Sequence, residues 1–113
     1  MKTLEDLVPE EKYCAAISAK FPNSLFVWSG GAVMLRSAVK LADVANSISA
    51  PTVAEMLELS GETFYIEKGR YGYEIWDMRG VIVPFKIDAV VYQRLESAWA
   101  GLVDFQIKEG IIS

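Results

Sequence analysis

The spacing of the apolar residues changes at Glu62, and that change of period constrains the fold more than any other feature. Before it, apolar positions recur mostly at helical intervals. Tyr13, Ala16, Ile17, Lys20 and Phe21 form one such stripe behind Pro9, with Pro22-Asn23 as its stop. Leu41, Val44, Ala45 and Ile48 form a second, broken by Ser49-Ala50-Pro51 with Ser49 as a cap. Val53, Met56 and Leu57 form a third, ending at Ser60-Gly61. After Glu62 the period is two. Phe64 and Ile66 alternate with Thr63, Tyr65 and Glu67; beyond "KGRYG", Tyr73 and Ile75 alternate with Glu74 and Trp76. Two alternating runs around a glycine-containing loop predict a β-hairpin.

The remaining stretches fill in around that hairpin. "LFVWSGGAVML" reads as a strand and a Gly-Gly turn, followed either by a second strand at Val33–Leu35 or by the start of the next helix. "VIVPF" reads as a strand that Pro84 confines to an edge or an end. Asp88 is a good cap for a helix running to Ala100, with Val91, Leu95, Ala98 and Trp99 inward and Gly101 as its stop. "VDFQIKE" alternates strictly, so residues 103–109 read as a half-solvated strand with Val103, Phe105 and Ile107 on its inner face. The expected fold is α+β: a single domain over residues 1–113, with an antiparallel or mixed sheet, a central hairpin, and helices packed on it.

Composition narrows the function. A chain of 113 residues with 52% hydrophobic and 23% charged residues is a globular domain able to fold without metals or disulfides. Its mean hydropathy of +0.24 is high for a small soluble domain. The surplus goes into a well-filled core or onto a face that meets a partner. Fifteen acidic residues against eleven basic give a net charge of −4, which argues against binding nucleic acid by its backbone. Cys14 is the one cysteine, so no intrachain disulfide exists and a reducing compartment is expected. "MKTLEDLVPEEK" lacks the apolar core of a signal peptide, and the longest uncharged stretch, residues 21–35, is too short and broken to span a bilayer. A soluble cytoplasmic protein is the expectation.

Catalytic chemistry finds little to work with. The absence of histidine removes the commonest general base and the commonest transition-metal ligand. With one cysteine there is no zinc set, and "SGGAVML" lacks the lysine of a phosphate cradle. "DMRGVIVPFKID" lacks the alternating oxygens of a calcium loop. Glu62, Glu67, Glu74 and Asp77 remain as carboxylates for glycosidic chemistry, but on strands they read as solvent-facing charge. No enzyme, catalytic residue, metal or cofactor is expected.

"KLADVANSISAPTVAEMLEL", residues 40–59, resembles the helix-turn-helix of bacterial repressors in its "LADVA", Ser49, "TV" and later leucine, and the following hairpin resembles a wing. The resemblance implies a winged-helix-like nucleic-acid-binding regulator. The helix that would enter the groove carries Glu55 and Glu58 and no basic residue, while Glu67, Glu74 and Asp77 interleave with Lys68, Arg70 and Arg79 on the wing. Phosphate repulsion follows, and that reading stands second.

The leading expectation is a non-enzymatic interaction protein that binds another protein or itself, by analogy with small accessory, regulatory or mobile-element- and phage-encoded inhibitor proteins. Arg70 and Tyr71 at the hairpin tip, with Tyr73 and Trp76, are the expected partner-binding residues, because Arg, Tyr and Trp carry much of the energy at interfaces. An end strand with an unpaired edge, followed by "GIIS", predicts a homo-oligomer with Phe105, Ile107, Ile111 and Ile112 at its interface. A third reading, a small-molecule pocket, would use Trp28, Trp76 and Trp99 as its walls.

Overall fold

Glycine builds the first hairpin. In the computed structural model, which describes residues 3–60, 64–77, 85–86 and 90–112, β1 (Phe26–Ser29) and β2 (Ala32–Leu35) pair antiparallel, with Phe26 opposite Leu35 and Ser29 opposite Ala32. Gly30 and Gly31 join them at φ of 59° and 80°, the backbone a two-residue hairpin turn requires and side-chain-bearing residues resist. Val33–Leu35 is therefore strand. β3 (Ile48–Ala50) runs antiparallel along the other edge of β1, giving the order β2-β1-β3.

One face of this sheet lies under α1 (Glu11–Ile17). Val8, Cys14, Phe26, Val33 and Ala50 are buried together there, with Trp28 and Ile48 packed around them. The Pro9 carbonyl accepts from Trp28 Nε1 at 3.1 Å and from Cys14 Sγ at 3.3 Å, which fixes the entry to the helix. α1 is shorter than the sequence stripe: a 3-10 turn, Ser18–Lys20, replaces its last residues, and Ala16 is exposed while Cys14 and Ile17 are buried. Arg36 ties the sheet to the turn below it. Its guanidinium donates to Ser24 O at 2.8 Å, Ser24 Oγ at 2.9 Å, Ser49 Oγ at 2.7 Å and Phe21 O at 3.4 Å.

The second sheet is antiparallel, in the order β4-β5-β6, from β4 (Phe64–Lys68), β5 (Tyr73–Asp77) and β6 (Phe85–Lys86). The hairpin predicted from the change of period is present, with Ile66 opposite Ile75. Gly72 closes its loop at a φ of 146°. A β-carbon there would meet the Tyr92 carbonyl oxygen at 2.5 Å, so glycine is what allows Tyr73 and Tyr92 to exchange backbone bonds of 2.7 and 2.9 Å. The α+β class holds, with the strands divided between two antiparallel sheets.

Three readings change. Residues 41–48 are not an α-helix: Leu41–Asn46 is a 3-10 segment, every residue of it exposed, and Ile48 begins β3. Ser49, expected as a cap, is a strand residue. The cap of α2 (Val53–Leu59) is Thr52, whose hydroxyl accepts from Glu55 N at 3.3 Å while Glu55 Oε1 accepts from Thr52 N at 2.9 Å. The two-helix unit of a repressor is therefore not formed over residues 40–59, because a strand edge beside β1 captures the residues meant for its turn.

The third change concerns the C-terminal stretch. α3 runs unbroken from Leu95 to Lys108, so residues 103–108 are helix and not a half-solvated strand. Gly101 is no stop. It lies mid-helix where the Tyr92 phenol presses on the backbone, leaving no room for a β-carbon. The helix also starts later than the Asp88 cap implied, since Tyr92 is held to Tyr73 as a bridge and α3 begins only after Arg94. The alternation at Val103, Phe105 and Ile107 arose because α3 is covered on two sides. Val103 and Ala100 join Ile17, Phe21, Met56 and Ile112 in one cluster, while Ala98 and Leu102 join Phe64, Ile75 and Tyr92 in another. Half-buried Tyr13 and Trp99 pack against both. A helix with two buried faces needs apolar residues at more positions than one stripe provides. Glu62, Met78, Arg79, Gly80, Pro84 and Asp88 lie outside the described residues.

Candidate interaction surfaces

The hairpin β4–β5 sorts its side chains by alternation. Phe64, Ile66, Tyr73 and Ile75 face α3, and the Phe64 ring meets that of Phe105 edge-on at 6.0 Å. Tyr65, Glu67, Glu74 and Trp76 take the opposite face, where Tyr65 and Trp76 stand opposite each other with rings 8° from parallel and centroids 6.4 Å apart. The four residues expected to bind a partner therefore do not form one surface. Tyr73 packs into the core, with Lys68 Nζ 5.9 Å from its ring centroid. Trp76 is half-buried on the outer face. Arg70 and Tyr71 stand at the tip as predicted, with Tyr71 72% exposed and the Arg70 guanidinium 5.6 Å from its ring. Gln93 Nε2 donates to the Tyr71 carbonyl at 3.2 Å and steadies the tip from the side of α3.

The four residues expected at an oligomer interface also separate. Phe105 packs on the second sheet, and Ile107 packs against the cluster that contains Met56 and Val103. The chain reverses after α3 at Gly110, φ 72°. Gly110 N donates to Ile107 O at 3.1 Å and Ile111 N to Gln106 O at 2.9 Å, the bond pair of a Schellman cap. That reversal returns Ile112 to the same cluster, near Trp99, and leaves Ile111 at the surface. The unpaired end strand on which the interface was reasoned is absent, since its residues are helical.

The three tryptophans occupy three surroundings: Trp28 beside α1 and the first sheet, Trp99 on α3 between two clusters, and Trp76 on the outer face of the hairpin. A surface cleft of about 370 Å³ lies elsewhere, between Lys20–Ser24 and α2, lined by Phe21, Pro22, Glu55, Glu58 and Leu59. Cys14 is fully buried, and burial pushes its thiol from an ordinary 9.0 up to about 12. Among the described residues no group of three or more acidic, histidine or cysteine side chains is gathered to hold a metal, and no helix is long and apolar enough to cross a membrane.

One apolar surface was not anticipated. Leu41 is 91% exposed and Val44 49% exposed. On a 3-10 segment residues three apart eclipse one another, so the two share one ridge. The ridge is shaped by its own turns: Asp43 N donates to Lys40 O at 2.8 Å, and the Val44 carbonyl accepts from Ser47 N at 3.2 Å and Ser47 Oγ at 2.7 Å. The sequence did signal these residues, as a helical stripe, but a stripe does not say whether it turns inward. No family model, curated protein or solved structure matches this chain.

Proposed function

We propose that the protein is a non-enzymatic interaction domain that binds another protein, or a second copy of itself, through the ridge of Leu41 and Val44. The observation that carries this reading is the exposure of Leu41: a leucine held 91% in solvent by a hydrogen-bonded turn. Burying such a side chain against a partner gains roughly 1.5–3 kcal/mol. The high mean hydropathy of the chain finds part of its explanation here, in apolar area turned outward. Arg70 and Tyr71 at the hairpin tip offer a second, smaller contact of the kind interfaces favour. A net charge of −4 disfavours nucleic acid as the partner, and the single cysteine fits a cytoplasmic setting.

The test is a double substitution, Leu41→Asp with Val44→Asp, compared with the unaltered chain by sedimentation velocity and by affinity capture from cells that make the protein. The melting temperature should stay nearly unchanged, and whatever association the unaltered chain shows should be lost. Association retained by the variant would remove the ridge from the interface.

A further inference from the structure

The first sheet has two outer edges, and they differ. In an antiparallel sheet each residue turns its N–H and C=O to one side, and successive residues alternate. Arg36 N donates to Leu25 O at 2.9 Å, which turns Arg36 toward the strand of β1. On the far edge Ser49 N turns away from β1 and donates to Ser18 Oγ at 2.9 Å, so Val27, opposite Ser49, bonds toward Met34. Both observations give the same phase. Met34 and Arg36 bond inward, while Val33 and Leu35 direct their backbone groups outward.

On the β3 edge Ser18 caps the outward donor. On the β2 edge nothing among the described residues bonds to the N–H or C=O of Val33 or Leu35. The 3-10 turn Leu4–Leu7 lies beside β2 without bonding to it. An open edge is a template for another strand, and proteins usually blunt it with charge or proline. β2 carries neither, since no charged residue and no proline occurs from Asn23 to Leu35. The outer strand of the second sheet, β4, by contrast exposes Glu67 and Lys68.

We infer that the β2 edge pairs antiparallel with the β2 edge of a second copy, about a two-fold axis at Met34. This rests on the ridge reading in its second-copy form. The outward positions select the register: Val33 of each copy stands opposite Leu35 of the other, each pair exchanging two backbone bonds. Like edges meet without repulsion because β2 is uncharged, and Leu35, exposed in the single chain, is covered. Four residues of edge bury less than the roughly 1,200 Å² of a stable interface. The ridge at Leu41 and Val44, on the connection that leaves β2, supplies apolar area to the same contact.

Leu35 provides the test. Its φ is −63°, the angle proline imposes. Leu35→Pro therefore deletes one outward donor and leaves the bonds within the sheet in place. Sedimentation velocity of the full chain from about 10 μM to about 1 mM covers weak association. The unaltered protein should dimerise, and Leu35→Pro and the double ridge variant should both stay monomeric. A dimer retained by Leu35→Pro but lost by the ridge variant would overturn the edge pairing and leave the ridge standing. A dimer lost by Leu35→Pro but retained by the ridge variant would support the edge and remove the ridge. An unaltered protein monomeric throughout would overturn the edge pairing and leave the ridge to a different protein. Should Leu35→Pro fail to fold, amide exchange in the unaltered chain decides. The Val33 and Leu35 amides should exchange more slowly at high protein concentration, with Met34 unchanged; equal rates at both concentrations would overturn the pairing.

Discussion

Replacing Gly101 with Ala puts two opposed effects on one residue, and the structure decides which is larger. Alanine in a helix interior is favoured over glycine by about 1 kcal/mol, so helix propensity alone makes the change stabilising. The position is not open, however. A β-carbon at residue 101 would lie 2.5 Å from Tyr92 Cζ and 3.1 Å from Cε1, with the phenol oxygen nearer still. Tyr92 cannot swing aside cheaply. It is 6% exposed, its ring meets Tyr13 edge-on at 5.4 Å, and its backbone is bonded to Tyr73 in both directions. Forcing extra volume into such a contact costs about 1–3 kcal/mol, so the net change is a loss of roughly 1 kcal/mol. For a domain of this size that is a fall in Tm of about 4 °C. Calorimetry or urea denaturation reads it directly. A glycine at a helix stop would also lose stability on replacement, so the discriminating measurement is the cycle with Tyr92→Phe. Removing the hydroxyl relieves the closest approach, and the penalty of Gly101→Ala should shrink in that background. A stabilised Gly101→Ala protein, or a penalty indifferent to Tyr92→Phe, would refute the placement of Tyr92 against an unbroken α3.

Three further outcomes follow from other parts of the fold. Cys14 should resist a thiol reagent at pH 8 in the native state and react on unfolding. Because burial raises its pKa from 9.0 to about 12, the unfolded chain loses this proton first, and the thiol's contribution to stability should decline from pH 9.0 upward through about 12; an unchanged native reaction rate relative to a free thiol would contradict the burial. Thr52→Ala removes the hydroxyl half of the capping box on α2, leaving the residue-52 N–H on Glu55 Oε1, and should cost about 1 kcal/mol, measured by urea denaturation, with no loss meaning that the hydroxyl cap carries no stability. Tyr71→Ala should leave Tm nearly unchanged, since the ring is 72% exposed, while weakening capture of a partner; a variant that unfolds would make the tip structural.

The second hairpin was legible because its Gly69–Gly72 loop sits between runs of period two. The first was legible only as far as a strand and a Gly-Gly turn, because the apolar residues beyond Gly31 do not alternate and fit a strand or a helix start equally. α2 was legible in extent, but its cap was misplaced. The Thr52–Glu55 pair is a capping-box signature that outweighs a lone serine at position 49. What the sequence could not express was which neighbour an apolar run would meet. Residues 103–108 alternate because α3 has two buried faces, and a period of two is also what a strand shows. Gly101 reads as a stop unless Tyr92 is known to lie against it. Leu41 and Val44 carry the spacing of a buried stripe, yet the β3 edge takes Ile48 away and leaves the pair outside. Of the expected contact residues, Arg70 and Tyr71 could be placed at the exposed tip from loop position alone. Tyr73 and Trp76 were divided by strand alternation, a property visible once the register of the hairpin is fixed.

The most direct measurement of the central claim is site-specific photocrosslinking from the ridge. A photoreactive phenylalanine analogue at position 41, and a control at the exposed Lys108 on the far end of α3, would be introduced into the full chain in cells that make it. The ridge reading predicts a discrete covalent adduct from position 41, either a second copy of the chain or another protein identified by mass spectrometry, that is lost when Val44 is also changed to Asp. No adduct from position 41 beyond that of the control, or an adduct indifferent to Val44→Asp, would contradict it.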